Sequence, residues 1–470
     1  MSIGIRSVEP RRERGFSLIE LLVSMFIAIQ IVIAAAIAFD VHNRMAQVQT
    51  QITDLQQSLR VAQYDIVRLV RSAGRGGLPM DLDPDAVYDP AATIPELRGR
   101  AIEVRNNVTG DERFIARGNN SSPQAIEGSD ILTVRGCFSG TAYQIDPSTF
   151  DWDPDDSGAI EAGEEVTLVI PRTSVAGISQ PLGPLVEEIQ AYAAAAPIKG
   201  RMALVSPESL QNYGIANISS LAIVGAATDP DSVTLTLRLD TDSPLNPYDE
   251  DAAIRRFPEF MTASLGCFLE EYRYYVRAVP GDAITPVRPR LTRARFEPGT
   301  ETPYLDSTAN LSLDLADGIL DLQVALGLDT DYYFGYTAGN PGAFADDEDN
   351  LGLDDVLYEA DLTSDDEDGA LDDWLYNSPD DRPADTQYVI HANGTNAGNI
   401  VQTYFVRVTT VARTLRPDPS YSAPDFDTRT DGDWVEDHDY DSGASTVWKS
   451  GDSLKHRRRS LTTTVEMRNI

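Results

Sequence analysis

The hydrophobic pattern of the chain changes abruptly once, near its start. Residues 1–15 are polar and basic, with Arg6, Arg11, Arg12 and Arg14, and residues 16–39 are an almost unbroken apolar run, FSLIELLVSMFIAIQIVIAAAIAF. As a helix this run reaches roughly 36 Å at about 1.5 Å per residue, enough to span a bilayer. Basic residues before the span and few after it predict a cytoplasmic N-terminus with the remainder exported. A secretory signal peptide has a shorter apolar region, with its small-residue cleavage site behind it. Here the boundary that looks like a cleavage site comes first, between Gly15 and Phe16. A cut there removes the charged leader and keeps the apolar helix as a working part. Glu20 interrupts the run in the second helical turn. An ionisable group inside a membrane span is costly and marks a functional position by default. The amine that a cut would free on Phe16 lies one turn from Glu20 and is its obvious partner; the competing reading is a carboxylate snorkelling to the interface.

Beyond the span, apolar residues recur at Val41, Met45, Val48, Ile52, Leu55, Leu59, Ala62, Ile66 and Leu69, in alternating steps of four and three. This heptad seam predicts one long helix packing along one side, from residue 16 to about 72, roughly 80 Å long. Gly74, Gly76, Gly77 and Pro79 then end it. The same seam would also suit a parallel coiled-coil dimer. After residue 80 the period shortens to two. Strand-like runs fall at 130–136, 165–170, 202–206, 221–225, 232–239, 268–279, 290–296, 318–328, 387–391, 401–414 and 460–468, between clusters of Gly, Pro, Asn and Asp. Alternation such as Val-Thr-Leu-Thr-Leu-Arg-Leu predicts antiparallel strands with one covered face. A helix laid on such a sheet is an α+β arrangement.

Composition narrows the chemistry. The chain has 470 residues, 42% of them apolar, which suffices for a real core in two ordinary domains or one large domain with insertions. Asp and Glu total 74 against 38 Lys and Arg, a formal net charge of −36. Such a chain repels polyanions, so no nucleic-acid partner is expected; divalent cations suit it better. The two cysteines, Cys137 and Cys267, each sit in a Gly-Cys-Phe tripeptide and are read as one disulfide, with two unpaired buried thiols as the alternative. Residues 153–164, DPDDSGAIEAGE, fit a twelve-residue calcium loop: Asp153, Asp155 and Ser157 at alternating positions, Gly158 for the turn, the Ala159 carbonyl, Glu161 through water, and Glu164 as the terminal bidentate ligand. A strand-like run follows where a helix is usual, so an ordinary solvated acidic turn is the competing reading. The stretch 329–382 holds 18 Asp or Glu and one basic residue, and with 425–443 it reads as an acidic surface insertion. The basic run at 455–459 opens the last strand-like segment and reads as a counterweight to nearby acidic loops. There is no Gly-x-Ser-x-Gly elbow, phosphate loop or His-Glu-x-x-His, and the four histidines are scattered, so no enzyme chemistry is expected.

The stretch RRERGFSLIELLVSMFIA resembles the class III prepilin motif, in which a basic leader ends in Gly before Phe-Ser-Leu-Ile-Glu-Leu-Leu. The resemblance implies cleavage after Gly15 by prepilin peptidase and N-methylation of Phe16. It also implies that Glu20 neutralises a neighbouring subunit's N-terminus during fibre assembly. LQQSLRVAQYDIVRLVRSAGRGG is similar to the post-membrane helix of PilW-type minor pilins. The segments at 130–135, 272–276, 289–293, 315–324 and 457–470 are similar to that family in their order along the chain. The implied fold is type IV pilin-like, a long N-terminal helix packed on an antiparallel β-sheet domain with acidic loop insertions. The domains would be a leader at 1–15, a transmembrane part at 16–39, a periplasmic half-helix at 40–76 and a β-rich body at 77–470. Implied partners are other minor and major pilins, prepilin peptidase, the inner membrane before assembly, and a tip adhesin, with Ca2+ the one cofactor in view. The minor pseudopilin J of type II secretion shares the leader, and a calcium-dependent adhesin anchored by a pilin helix is a third reading.

Overall fold

The computed structural model describes residues 17–74, 101–138, 142–146, 165–174, 177–193, 200–206, 209–239, 265–281, 287–306, 309–310, 312–329, 401–418 and 455–467, with 81–82, 374–375, 421, 434–435 and 438–439. The chain divides into two compact units, Met1–Asp54 and Leu55–Ile470. In the first, the described residues form only helix, the N-terminal part of α1 (Leu18–Val70). Its large apolar side chains face outward: Leu18 is 80% exposed and Phe39 68%, and the seam residues Val41 and Met45 are exposed as well. In the second unit the seam changes role, and Leu55, Leu59, Ala62, Ile66 and Leu69 are buried. The helix closes with tight turns from Ser72 N–H to the Leu69 carbonyl and from Ala73 N–H to the Val70 carbonyl. Gly74, at φ 72°, then turns the chain away.

The rest of the second unit is built of strands. In order they are β1 (Asp81–Leu82), β2 (Ile102–Arg105), β3 (Ile131–Gly136), β4 (Tyr143–Gln144), β5 (Glu165–Pro171), β6 (Arg201–Ser206), β7 (Ser209–Ala226), β8 (Asp229–Leu239), β9 (Leu265–Pro280) and β10 (Val287–Phe296). There follow β11 (Leu305–Asp306), β12 (Ala309–Asn310), β13 (Ser312–Asp317), β14 (Ile319–Asp329), β15 (Trp374–Leu375), β16 (Val401–Arg413), β17 (Trp434–Val435), β18 (His438–Asp439) and β19 (Arg458–Glu466). Helix α2 (Leu182–Ala193) lies between β5 and β6. A ten-stranded sheet runs β13-β10-β9-β6-β7-β8-β5, with β3 and β4 also on β9 and β2 on β3. A five-stranded sheet runs β1-β16-β14-β15 with β19 on β16. The pairings of both sheets are antiparallel. The long N-terminal helix and the antiparallel sheets together make the expected α+β fold.

Most strands lie where the two-residue alternation places them. The run at 221–225 is the end of a much longer strand, β7, and the run at 387–391 lies outside the described residues. Helix α2, strands β2 and β13 and the two-residue strands were not anticipated. The Gly-Pro pair at 183–184 reads as a loop, but proline is tolerated in a helix's first turn. Leu182, Leu185, Val186 and Ile189 then give the buried helical stripe.

Among the described residues, Asp130 and Gly318 join the two sheets. Asp130, just before β3, donates its N–H to the Leu322 carbonyl of β14, and its carboxylate accepts the N–H groups of Asn107 and Val324. One side chain thus does for the β14 edge what a neighbouring strand's carbonyl would do. Gly318 links β13 of one sheet to β14 of the other at φ 78°, and a Cβ there would sit 2.7 Å from the Arg413 carbonyl. Cys137 and Cys267 form a disulfide that ties the segment after β3 to β9.

Strand β9 has a second buried face, and it is charged. Arg135 bonds Glu271 at 2.7 Å and Glu103 at 2.6 Å; Arg117 bonds Glu103; Arg273 bonds Glu271 and Glu301. Burial alone would raise Glu103, but Arg135, Arg117 and Arg273 hold its carboxyl down at about 2. Glu271 is likewise buried, and Arg135, Arg273 and the Gly299 N–H lower it. Burial, with the charges of Arg273 and Arg117, pulls Arg105 down to about 9. The spare donors bind main chain: Arg105 reaches the Phe114 and Ile115 carbonyls, and Arg273 reaches Ile115 and Thr300.

Two outcomes follow. Gly318→Ala forces a left-handed backbone and a clash, and lowers unfolding stability by about 1–3 kcal/mol, measured by denaturant titration of the full chain in detergent. Glu103 is depressed on folding, so its stabilisation is complete above the ordinary value of 4.5 and is lost as pH falls towards 2. Glu103→Gln leaves buried arginines short of a counter-charge, costs about 3–5 kcal/mol, and removes that part of the acid dependence in a circular-dichroism pH titration.

Candidate functional site

The apolar run forms helix because nearly every residue from 18 to 39 is a large aliphatic, alanine or phenylalanine, with no proline or glycine to break it. The start of that helix is closed by its own side chains. Ser17 N–H donates to Glu20 Oε2 at 3.3 Å, and Glu20 N–H donates to Ser17 Oγ at 3.2 Å. This reciprocal pair is a capping box, and it satisfies two amides that the first turn leaves without helical partners. Ser24 Oγ donates to the Glu20 carbonyl one turn on. Glu20 therefore has a place in its own helix as well as the one anticipated with a neighbouring amine. The sequence reading singled out Glu20 and passed over Ser17, although Ser-x-x-Glu before an apolar run is the written signal for such a cap.

Gly15 and Phe16 lie outside the described residues, as does the whole calcium loop, Asp153, Asp155, Ser157, Ala159, Glu161 and Glu164. Among the described residues no group of three or more His, Cys, Asp or Glu gathers to hold a metal. Over its apolar part α1 is long and apolar enough to cross a membrane.

Within the second unit, two polar side chains of α1 fix how its buried stripe lies on the sheets. Gln63 donates to the Val408 and Leu461 carbonyls of β16 and β19 and to Thr410 Oγ1. Asp65 accepts from Tyr274 Oη at 2.8 Å and pairs with Arg293 at 2.9 Å. Burial and the Asp65 carboxylate push the Tyr274 phenol well above its usual range, so it stays a donor. Gln63 thus keys the helix to the five-stranded sheet and Asp65 keys it to the ten-stranded one. Neither residue stood out in the sequence, since polar groups beside a heptad seam usually face water.

Residues 10–29 match the family model described as a prokaryotic N-terminal methylation motif. The chain carries a prepilin-type leader. That leader supports a type IV pilin or pseudopilin role, with processing by prepilin peptidase and assembly with other pilins. The prepilin motif and the apolar helix behind it give anchoring in a membrane by a single helix. Comparison with curated proteins and with solved structures finds no match.

Loss of the capping box frays the first turn. Ser17→Ala in the full chain in detergent micelles speeds amide exchange at residue 20 by an amount set by about 0.5–2 kcal/mol. Protection equal to the parent would show that the cap is not formed.

Proposed function

We propose that the chain is a minor pilin, similar to the PilW type, that helps initiate or cap a type IV pilus. The observation that carries this reading is the leader: a basic segment, Gly15, Phe16 and Glu20 in the spacing of the methylation motif, directly ahead of an outward-facing apolar helix. Cleavage between Gly15 and Phe16 leaves the helix in the inner membrane with the body in the periplasm, from which the subunit enters the fibre. In lipid, helices associate through packing and polar contacts, because lipid and side chains are equally apolar. The Glu20 carboxylate supplies the polar contact, accepting the charged amine of Phe16 on an adjacent subunit. For that it exchanges the Ser17 N–H for a cation, a stronger, charge-assisted bond. The role is association, with no step of covalent chemistry after processing, and a prepilin-type leader points to a structural subunit rather than an enzyme.

Mass spectrometry of the N-terminal peptide from sheared surface fibres tests this. A methylated peptide beginning at Phe16 is expected. An intact leader, or absence from fibres despite expression, would overturn the pilus reading; recovery from a secretion pseudopilus would move the protein to type II secretion. Glu20→Ala should leave cleavage intact and reduce incorporation, and normal incorporation would remove Glu20 from the assembly step.

A further inference from the structure

Among the described residues the edge strands of the two large sheets are β2, β5, β13, β19 and the two-residue β1, β4 and β15; β2 is only four residues long, and its Glu103 is held in buried ion pairs. An open edge is a template for another chain, and proteins blunt edges with short strands, prolines, charges and bulges. Strand β13 has a register break against β10 between Leu291 and Thr292, and carries Asp314 and Asp317 in ion pairs with arginines. Strand β5 ends in Pro171, and its Val169 carbonyl accepts the Asp146 N–H. Strand β19 is different. Its nine pairs with β16, from Phe405–Glu466 to Arg413–Arg458, run without a shift. Residues 460–465, Ser-Leu-Thr-Thr-Thr-Val, contain no proline and no charge, and Ser460, Thr462 and Thr464 are exposed. Alternate residues of an antiparallel edge strand turn their main-chain groups away from the one partner they have.

The strand also begins in a cluster of cations within a chain of net charge −36. Arg416, Lys455 and Arg459 are exposed, while Arg457 and Arg458 are half-buried beside them. Arg457 pairs with Asp418. Arg413 stands opposite Arg458 in the register, and burial together with that neighbouring charge pulls its guanidinium down to about 10.

We propose that the β19 edge takes up an extended acidic segment of a different subunit as an added strand, with main-chain hydrogen bonds along 460–465 and carboxylates against 455–459. Strand addition draws affinity from the backbone and specificity from flanking side chains, and the basic end supplies the specificity here. A second copy of this chain is the weaker occupant, because two bodies at −36 repel each other. The β19 edge and its basic end are the same whether or not the body enters a pilus.

The test uses the purified full-length chain in detergent micelles. The probes are two labelled peptides of alternating Val and Thr, one ending in two Asp and the other in two Lys, followed by fluorescence anisotropy and by hydrogen exchange of residues 458–466. The acidic peptide should bind at least about tenfold more tightly and slow exchange in that segment. Thr464→Pro should weaken binding about tenfold while the thermal midpoint is kept. Lys455→Glu with Arg459→Glu changes only exposed side chains and should abolish the preference for acid. Equal binding of both peptides, an edge already protected without peptide, or binding indifferent to the charge reversal would overturn the proposal. Self-association that the charge reversal alters would overturn it in favour of a second copy.

Discussion

The stripe of α1 from Leu55 to Val70 is the surface on which both sheets meet, and its burial sets the rest of the second unit. Leu59, Ala62, Ile66 and Leu69 belong to one core with Leu132, Val134, Tyr274 and Val276 of the larger sheet and Leu322, Val406, Val408 and Val465 of the smaller. Apolar burial is non-directional and would tolerate a helix that slid or rolled. Gln63 and Asp65 supply the direction, because each reaches partners that exist at one point on one sheet. The steps of four and three that bury this stripe continue from the part of the helix where large apolar side chains stand exposed. One periodic pattern, begun beyond the apolar span, therefore leaves Val41 and Met45 exposed and buries its residues from Leu55 onward.

The charged layer on the other face of β9 works in a different way. Buried ion pairs seldom add net stability over well-packed apolar groups, since desolvation consumes most of the attraction. Here the arginines have donors left after meeting Glu103, Glu271 and Glu301, and those donors hold main-chain carbonyls at 114, 115 and 300. The layer thus fixes the main chain of two irregular segments, at 114–115 and at 300. A second small core, with Val108, Ile115, Tyr275 and Phe296, completes the cover. Arg273 sits between the two, its guanidinium 3.8 Å from the centre of the Phe296 ring.

Strands such as β5 and β8 were legible because their polar and apolar residues alternate, β9 because it is rich in aromatic and apolar residues, and the long helix because its seam never breaks step. What the sequence did not disclose is partnership. Strand β3 pairs with β9 and β14 with β16 across long intervals of chain, and nothing local in Asp130 distinguishes a joint between sheets from an ordinary turn residue. Helix α2 was hidden by its opening Gly-Pro, and the start of β7 by a stretch of mixed polarity. At the N-terminus, Gly15, Phe16 and Glu20 could be named directly, because a cleavage site and a lone acid in an apolar run are local features. Ser17 could have been named by the same kind of local rule.

The bond between Cys137 and Cys267 closes the polypeptide into a ring across a sequence separation of 130. Strands β4 to β8, α2 and the acidic stretch at 153–164 all lie inside that ring. A protease that nicks the ring once leaves a single covalent molecule, and the two pieces part only when the sulfurs are reduced. A segment within the ring can therefore be cut without being shed, whereas one outside it in the sequence, such as 329–382, has no such tether.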